Sequence, residues 1–335
     1  MLVFSVESSC DETSVCIMNE QGKIFSHIIY SQEIHKKHGG VVPELASRAH
    51  LEILQEITKK ALKESNLKLE DMDLFSATCG PGLIGGLLIG STFTKSLSIG
   101  VKKPFVPINH LEAHVLSSFY NNKISFPHLS LLITGGHTQI YLLDSLKIIK
   151  LIGETIDDAV GEAFDKVAKI LGLPYPGGLE IERKALEGNA DFYKLPEPLI
   201  NKKNYNFSFS GLKTSINLIV KKNTIDDVFI SNISASFQKC IGNILISKLE
   251  NAIKDLKNIN KKISSLSVVG GVANNNYLKN CFKTLNKNNN VNILYPPKYM
   301  MSDNAAMIAW ATILKYRETN NINFKPNPRL TISKS

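Results

Sequence analysis

The stretch Val3–Met18, "VFSVESSCDETSVCIM", puts an apolar strand (Val3 to Glu7) and a returning strand (Ser14 to Met18) on either side of a polar, acidic turn, Ser8 to Thr13. Apolar runs bounded by turn residues read as a β-hairpin. A second stretch has the same outline. Leu129 to Thr134 is apolar and extended, Gly135-Gly136-His137-Thr138 turns, and Gln139 to Leu143 returns. Another strand candidate and a helix follow each hairpin, so the sequence predicts an α/β protein with duplicated lobes facing each other across a cleft. The length of 335 residues agrees, because single cores stop growing at about 250–300 residues.

Working outward, Glu44 to Ser65 has helical periodicity behind Pro43. Leu74 to Thr78 is a strand feeding "CGPGLIGGLLIG", whose glycines open a helix to about Ile99, and Phe105 to Ile108 is the next buried strand. Farther on, Asp158 to Leu171 is a helix stopped by Gly172 and Pro174, and Ile233 to Ile253 is a long helix. Leu266 to Val269 is a strand running into "GGVANNN", and Asp303 to Tyr316 is a helix with Ser302 or Asp303 as its cap. The Asn- and Lys-rich residues 286–292 read as a solvated loop.

A hydrophobic share of 43% and a charged share of 21% are ordinary for a globular protein and exclude disorder. The first apolar run reaches Glu7 with no basic segment before it, so no signal peptide is expected. No run approaches the roughly 18 apolar residues of a membrane span. Five cysteines without a C-x-x-C pair suit a reducing compartment, the cytoplasm. The net charge of +9 is compatible with a nucleic-acid partner. It is equally compatible with a bulk Lys and Asn bias, since the Lys pairs are dispersed.

The chemistry concentrates in "NHLEAH", Asn109 to His114. On a helix, His110 and His114 lie one turn apart on one face, a spacing that holds a metal. Glu112 falls about 200° around, whereas the zinc-protease order H-E-x-x-H sets its glutamate beside the metal-bound water. The protease base is therefore missing. Taken alone, such a pair reads as readily as a partly exposed helix surface. A third ligand would decide, and Asp303 in "MSDNAAMIAW" offers one that spacing alone cannot bring near. Glycine turns at Gly80–Gly82, Gly135–Gly136, Gly177–Gly178 and Gly270–Gly271 are each common structural turns. Together they suit a chain whose backbone N–H groups hold phosphates, with Asp11, Glu12 and Asp165 as nearby carboxylates.

"ESSCDETS", "GGVVPELASRAH", "GPGLIGGLLIG", "NHLEAH", "LITGGHTQ", "DDAVGEAFDKVAKILGLPYPGG", "FSFSGLKT", "GGVANN" and "SDNAAMIA" occur in that order. The set resembles the TsaD-type tRNA adenosine threonylcarbamoyltransferases, once described as glycoproteases, from Val3 to about Arg329. The resemblance implies a two-lobed actin-like ATPase fold (sugar kinase, heat-shock protein, actin). It implies an N-terminal lobe over 1–125 completed by a C-terminal helix, 303–320, a second lobe over 126–302, and a tail over 321–335. It implies one divalent metal ion, Fe2+ or Zn2+, on His110, His114 and Asp303. Substrate or nucleotide contacts are implied at Leu132, Ile133, Thr134, Gly135, Gly136, Asp165, Gly178, Glu182 and Asn275. Asp11 and Glu12 are implied near the reaction centre, as catalytic candidates.

The implied reaction carries the L-threonylcarbamoyl group from threonylcarbamoyl-AMP to N6 of the adenosine just 3′ of the anticodon, in tRNAs reading codons that begin with A. ATP or ADP is a further implied nucleotide. Implied partners are tRNA, a TsaB-type paralogue as heterodimer partner and a TsaE-type small ATPase; lack of a fused kinase segment sets the expectation of a bacterial or organellar type. This sequence departs from the usual pattern at Ser8-Ser9, at Ile133-Thr134, at Glu182 and at Ala273-Asn274. The rival readings are a metal-dependent endopeptidase, an ATP-dependent small-molecule kinase, and a non-catalytic binding paralogue, which would be expected to lack the "HLEAH" and "SDNAA" that this sequence has.

Overall fold

The structure is a computed structural model that describes residues 1–316 and 320–332. Two compact units partition the chain: Met1–Asn121 with Pro296–Ser335, and Asn122–Tyr295. The sequence placed these breaks at 125/126 and 302/303. Of the expected helix 303–320 and tail 321–335, residues 317–319 and 333–335 lie outside the described residues.

The first unit opens with β1 (Leu2–Glu7), β2 (Glu12–Asn19) and β3 (Ile24–Ser31), continues through α1 (Pro43–Ser65), β4 (Leu74–Gly80) and α2 (Ile84–Gly100), and reaches β5 (Phe105–Asn109) and α3 (His110–Ser117). Its sheet has the order β3-β2-β1-β4-β5, antiparallel across the hairpin and parallel from β1 to β4 to β5. Phe4, Val6, Val15, Ile17 and Phe75 pack with Leu54, Ile57 and Ala61 of α1 on one face. Pro at the first turn and Asn66 in the left-handed conformation bound α1, as helix termini prefer.

Small residues bring α2 against the hairpin turn. A Cβ at Gly86 would stand 2.2 Å from the Ser8 carbonyl oxygen, and one at Gly90 would stand 2.0 Å from Ser8 Oγ. A Cβ at Gly82, at φ +154°, would stand 2.6 Å from the Ser9 carbonyl oxygen. Gly82, Gly86 and Gly90 of "GPGLIGGLLIG" thus serve helix-to-turn packing, and Gly80, at φ +143°, packs against the Asn327 carbonyl.

The second unit repeats the plan with β6 (His128–Ile133), β7 (Thr138–Leu143), β8 (Ile149–Glu154), α4 (Val160–Ile170), α5 (Gly177–Ala185), α6 (Ser210–Val220), α7 (Asp227–Asn258), β9 (Ser265–Val269), α8 (Asn276–Asn289) and β10 (Asn292–Leu294). Its order, β10-β9-β6-β7-β8, is that of the first sheet element for element, with β6 parallel to β9 and antiparallel to β7. Its core joins Leu131, Ile133 and Val268 to Phe164, Phe237, Ile241 and Leu245. Residues 286–292 are not the expected loop. Helix α8 runs to Asn289, Asn290 caps it in the left-handed conformation, and β10 starts at once. Its buried Leu278, Phe282 and Leu285 override the polar composition that suggested a loop.

The chain then returns to the first unit with α9 (Ala305–Lys315), against β1, β2 and α3 on the sheet's second face. Its cap is Asn304, whose side chain accepts from Met307 N at 2.9 Å, while Ser14 Oγ accepts from Ala305 N at 3.0 Å. Neither Ser302 nor Asp303 caps it, and the Asp303 carboxylate is left for other partners. No helix among the described residues is long and apolar enough to cross a membrane.

A buried histidine links β6 to β9. His128 Nδ1 lies 2.8 Å from Ser265 Oγ and Nε2 lies 3.0 Å from Ser267 Oγ; burial pushes its pKa down to about 4. A folded-state value below the unfolded one (about 6.5) contributes stability that is complete above pH 6.5 and lost as pH falls towards 4. At about pH 5 the loss from this residue is on the order of 2 kcal/mol. Urea unfolding at neutral and at acid pH checks this, with His128→Gln expected to show a smaller acid loss than the parent. An equal loss in both would assign the acid sensitivity elsewhere.

Candidate functional site

The carboxyl ends of β1, β4 and β5 gather the polar side chains of the first unit. Asn109 ends β5 and caps α3, accepting from Glu112 N at 3.1 Å, so His110 and His114 fall on the first turns of a helix that is buried throughout. Asp303 precedes the cap of α9. Its Oδ1 lies 3.0 Å from His114 Nε2 and 3.5 Å from His110 Nε2, and one ligand atom from each of the three lies within 4.8 Å of the others. Ligands about 2.0–2.1 Å from a zinc-sized ion stand roughly 3.4 Å apart in a tetrahedral shell, so these residues fit a metal. Two imidazoles and one carboxylate leave coordination positions open for substrate. The rings, 4.7 Å apart and nearly perpendicular, turn both Nε2 atoms to the same oxygen.

Electrostatics hold the group together. Burial opposes the charge on Asp303, but the two histidines outweigh it and keep its carboxyl well below the usual range. Burial likewise opposes charge on His110, yet Asp303 and Glu7 raise its pKa well above the ordinary value. His114 goes the other way, lowered chiefly by burial.

Glu112 turns from this group, as its position on the helix requires, and its carboxylate accepts from Lys315 Nζ at the last turn of α9. That ion pair ties α3, which bears both histidines, to α9, which follows Asp303.

The hairpin turn lies beside the group. Glu12 is held well above the ordinary carboxyl range by burial and by the Asp303 and Asp11 charges. His50, in "GGVVPELASRAH", braces the turn: its Nε2 donates to the Cys10 carbonyl at 3.0 Å and its Nδ1 accepts from Thr13 Oγ1 at 2.7 Å. Sequence reasoning passed over His50, Thr13 and Glu7. A histidine at a buried helical position facing the turn was the one available signal.

In the second unit the substrate candidates stand at the equivalent ends of β6 and β9. Leu132 and Ile133 are buried strand residues, Thr134 is buried too, and the segment emerges only at Gly135. Backbone N–H groups of Gly161 and Glu162 at the start of α4 donate to Thr134 O (3.3 Å) and Gly135 O (3.1 Å). A Cβ at Gly135, Gly136, Gly178 or Gly271 would meet no atom within 4 Å, so those turns face open space. Gly270 differs: at φ +97° it packs against Ile133 O and joins the two strand ends.

Asp165 Oδ1 accepts from Gly177 N at 2.8 Å. Asn275 caps α8, accepting from Leu278 N at 2.9 Å and donating to Gln238 Oε1 at 2.7 Å. Glu182 Oε1 accepts from Asn276 N at 2.7 Å, which brings Glu182 to Asn275. A cavity of about 380 Å³ adjoins them, lined by Leu179, Glu182, Arg183, Gln238, Asn276 and Tyr277 among others, within the size range of small-ligand sites.

Two sheets of one strand order, each with polar turns at the carboxyl ends of its parallel strands, make this an α/β protein of the actin-like ATPase class, and its first unit carries two histidines and an aspartate disposed as metal ligands. The crystal structure of full-length HypF in the phosphate- and nucleotide-bound form matches with a TM-score of 0.60 at 13% identity, covering 93% of this chain and 46% of that one; at that identity the likeness shows the fold alone. The chain belongs to the tRNA N6-adenosine threonylcarbamoyltransferase family. The TsaD model of that description matches residues 23–310. Enzymes of that name from Rickettsia rickettsii (strain Sheila Smith) and Anaplasma phagocytophilum (strain HZ) are 47% and 42% identical, over 98% and 99% of this chain and 98% of each of theirs. The activity is therefore threonylcarbamoyl transfer to adenosine N6 of tRNA. The endopeptidase and kinase readings are not favoured.

Proposed function

We propose that the chain takes the L-threonylcarbamoyl group from threonylcarbamoyl-AMP and places it on N6 of the adenosine 3′ of the anticodon, with His110, His114 and Asp303 holding one Fe2+ or Zn2+ ion. The observation that carries the reading is the convergence of His110 Nε2 and His114 Nε2 on one Asp303 oxygen. Such an ion, when bound, supplies Lewis-acid polarisation of a substrate oxygen.

N6 is conjugated into the purine and is a weak nucleophile, so alignment and charge stabilisation carry much of the barrier. In the transfer, N6 forms a bond to the carbamoyl carbon, the bond from that carbon to the adenylate phosphate oxygen breaks, and AMP leaves. The N6 proton goes to a carboxylate of the hairpin turn. Asp11 and Glu12 are the two candidates for that acceptor. The exposed backbone of Gly135 and Gly136 suits the adenylate phosphate, and Asp165, Gly178, Glu182 and Asn275 suit the nucleoside. The substrate adenosine sits in a single-stranded loop that can be splayed out and read on its edges, with dispersed lysines on the backbone. A TsaB-type paralogue and a TsaE-type small ATPase are the proposed partners, and the cytoplasm the proposed compartment.

The test is nucleoside mass spectrometry of tRNA from cells depleted of this protein, rescued with the parent or with the double variant His110→Ala, His114→Ala. Threonylcarbamoyladenosine is expected to fall on depletion and to return with the parent alone. Unchanged modification after verified depletion, in cells with no second copy of the enzyme, would overturn the assignment.

A further inference from the structure

Glu7 is the most deeply buried carboxylate among the described residues of the first unit, with no exposed surface, and the reaction described above gives it no work. It sits at the last position of β1, on the face that α3 and α9 cover, opposite Ser14. Both of its oxygens are engaged. Oε1 accepts from Ser9 N at 2.6 Å, and Oε2 accepts from Thr78 Oγ1 and lies 3.2 Å from His110 Nδ1. Ser9 Oγ is the other neighbour of that nitrogen, also at 3.2 Å. His114 is built differently, since its Nδ1 is buried without a hydrogen-bond partner among the described residues. Of the two histidines facing Asp303, only His110 is backed by a carboxylate.

The geometry points to Glu7 as a positioning residue that fixes the proton of His110 on Nδ1 and so reserves Nε2 for the metal. This rests on the reading that His110, His114 and Asp303 hold a metal ion. An ionised carboxylate only accepts, so the atom facing Oε2 carries hydrogen and the lone pair of the neutral ring lies on Nε2, 3.5 Å from Asp303. A carboxylate behind a metal-bound imidazole fixes the ring's tautomer and orientation, and losing such a partner costs about 10–100-fold in metal affinity.

The hydrogen-bond pattern makes Glu7→Gln informative. Ser9 N–H is an obligate donor, so the glutamine must place its oxygen where Oε1 was. Its NH2 then faces His110 Nδ1 and can only donate to it. The ring's hydrogen is driven to Nε2, the nitrogen turned towards the metal, although the side chain keeps its size. Ser9→Ala removes the weaker neighbour of Nδ1 and leaves the carboxylate.

The experiment titrates metal-free full-length protein with Zn2+ against a competing chromophoric chelator, for the parent, Glu7→Gln, Ser9→Ala and His110→Ala. Glu7→Gln is expected to weaken Zn2+ binding by about 10–100-fold with an unchanged circular dichroism spectrum, and Ser9→Ala to stay within about threefold. The parent, loaded with Zn2+ and labelled with 15N-histidine, is expected to show a proton on His110 Nδ1 with Nε2 on the metal. That measurement decides the matter even if Glu7→Gln does not fold. Unchanged affinity in Glu7→Gln, or a His110 bound through Nδ1, would overturn the role of Glu7. Unchanged affinity in His110→Ala would instead overturn the metal site itself, so the two failures are separable.

Discussion

An Asp303→Ala variant is expected to keep its fold, lose stoichiometric metal, and transfer threonylcarbamoyl at least about 100-fold more slowly, since the several kcal/mol that a Lewis-acid site contributes correspond to two or more powers of ten. The fold survives because the helix that follows Asp303 does not depend on it. Asn304 caps α9, and Ser14 Oγ takes the next backbone N–H. The site does not survive, because Asp303 Oδ1 is the one atom that both imidazoles face. Metal analysis of the purified variant, with nucleoside mass spectrometry of tRNA from rescued cells, checks both halves. Parent-like modification in a variant without metal would remove the triad from the chemistry.

A Lys248→Met variant is expected to lose about 3 kcal/mol of stability, the largest single effect anticipated away from the site. Lys248 is fully buried on α7, and its ammonium donates to the carbonyls of Leu199 (2.6 Å), Lys202 (3.0 Å) and Asn204 (2.9 Å). Burial lowers its pKa, and the three acceptors offset that cost. Methionine fills the stem's volume but leaves the carbonyls without a donor, and hydrogen bonds to a charged group contribute about 1.5–3 kcal/mol. Rehydration of the released loop offsets part of the sum. Urea unfolding measures the loss, and limited proteolysis is expected to cut between Leu199 and Asn204. A loss below about 1 kcal/mol with the loop still protected would show that the three carbonyls find other donors.

Much of the fold was legible because hairpins leave a local record. The turn residues between Glu7 and Ser14, and between Ile133 and Gln139, lie within the window that a reader of sequence scans. The repeated strand order was not legible, since parallel partners such as β1 and β4 are joined by long crossovers whose pairing has no local mark. The Asn-rich end of α8 misled for a related reason: three buried apolar side chains outweighed a polar composition. At the candidate site the spacing of His110 and His114 showed that both point one way. Their meeting with Asp303 across a separation of 189 residues came from resemblance, not spacing. Glu7 escaped notice because a carboxylate at a strand end reads as ordinary turn chemistry until its neighbours are seen.

The first unit is interrupted by the whole of the second, and this sets an order of events on the ribosome. His110 and His114 emerge early, whereas the aspartate and α9, which covers the sheet's second face, come after every strand of the other unit has been made. At about 5–20 residues per second, the nascent chain waits roughly 10–40 s between its second imidazole and its carboxylate. During that interval the helix bearing both histidines lacks its α9 neighbour. The three side chains proposed as ligands are therefore all present only once every strand of the second unit has been synthesised, so capture of a metal by the full set cannot precede that point.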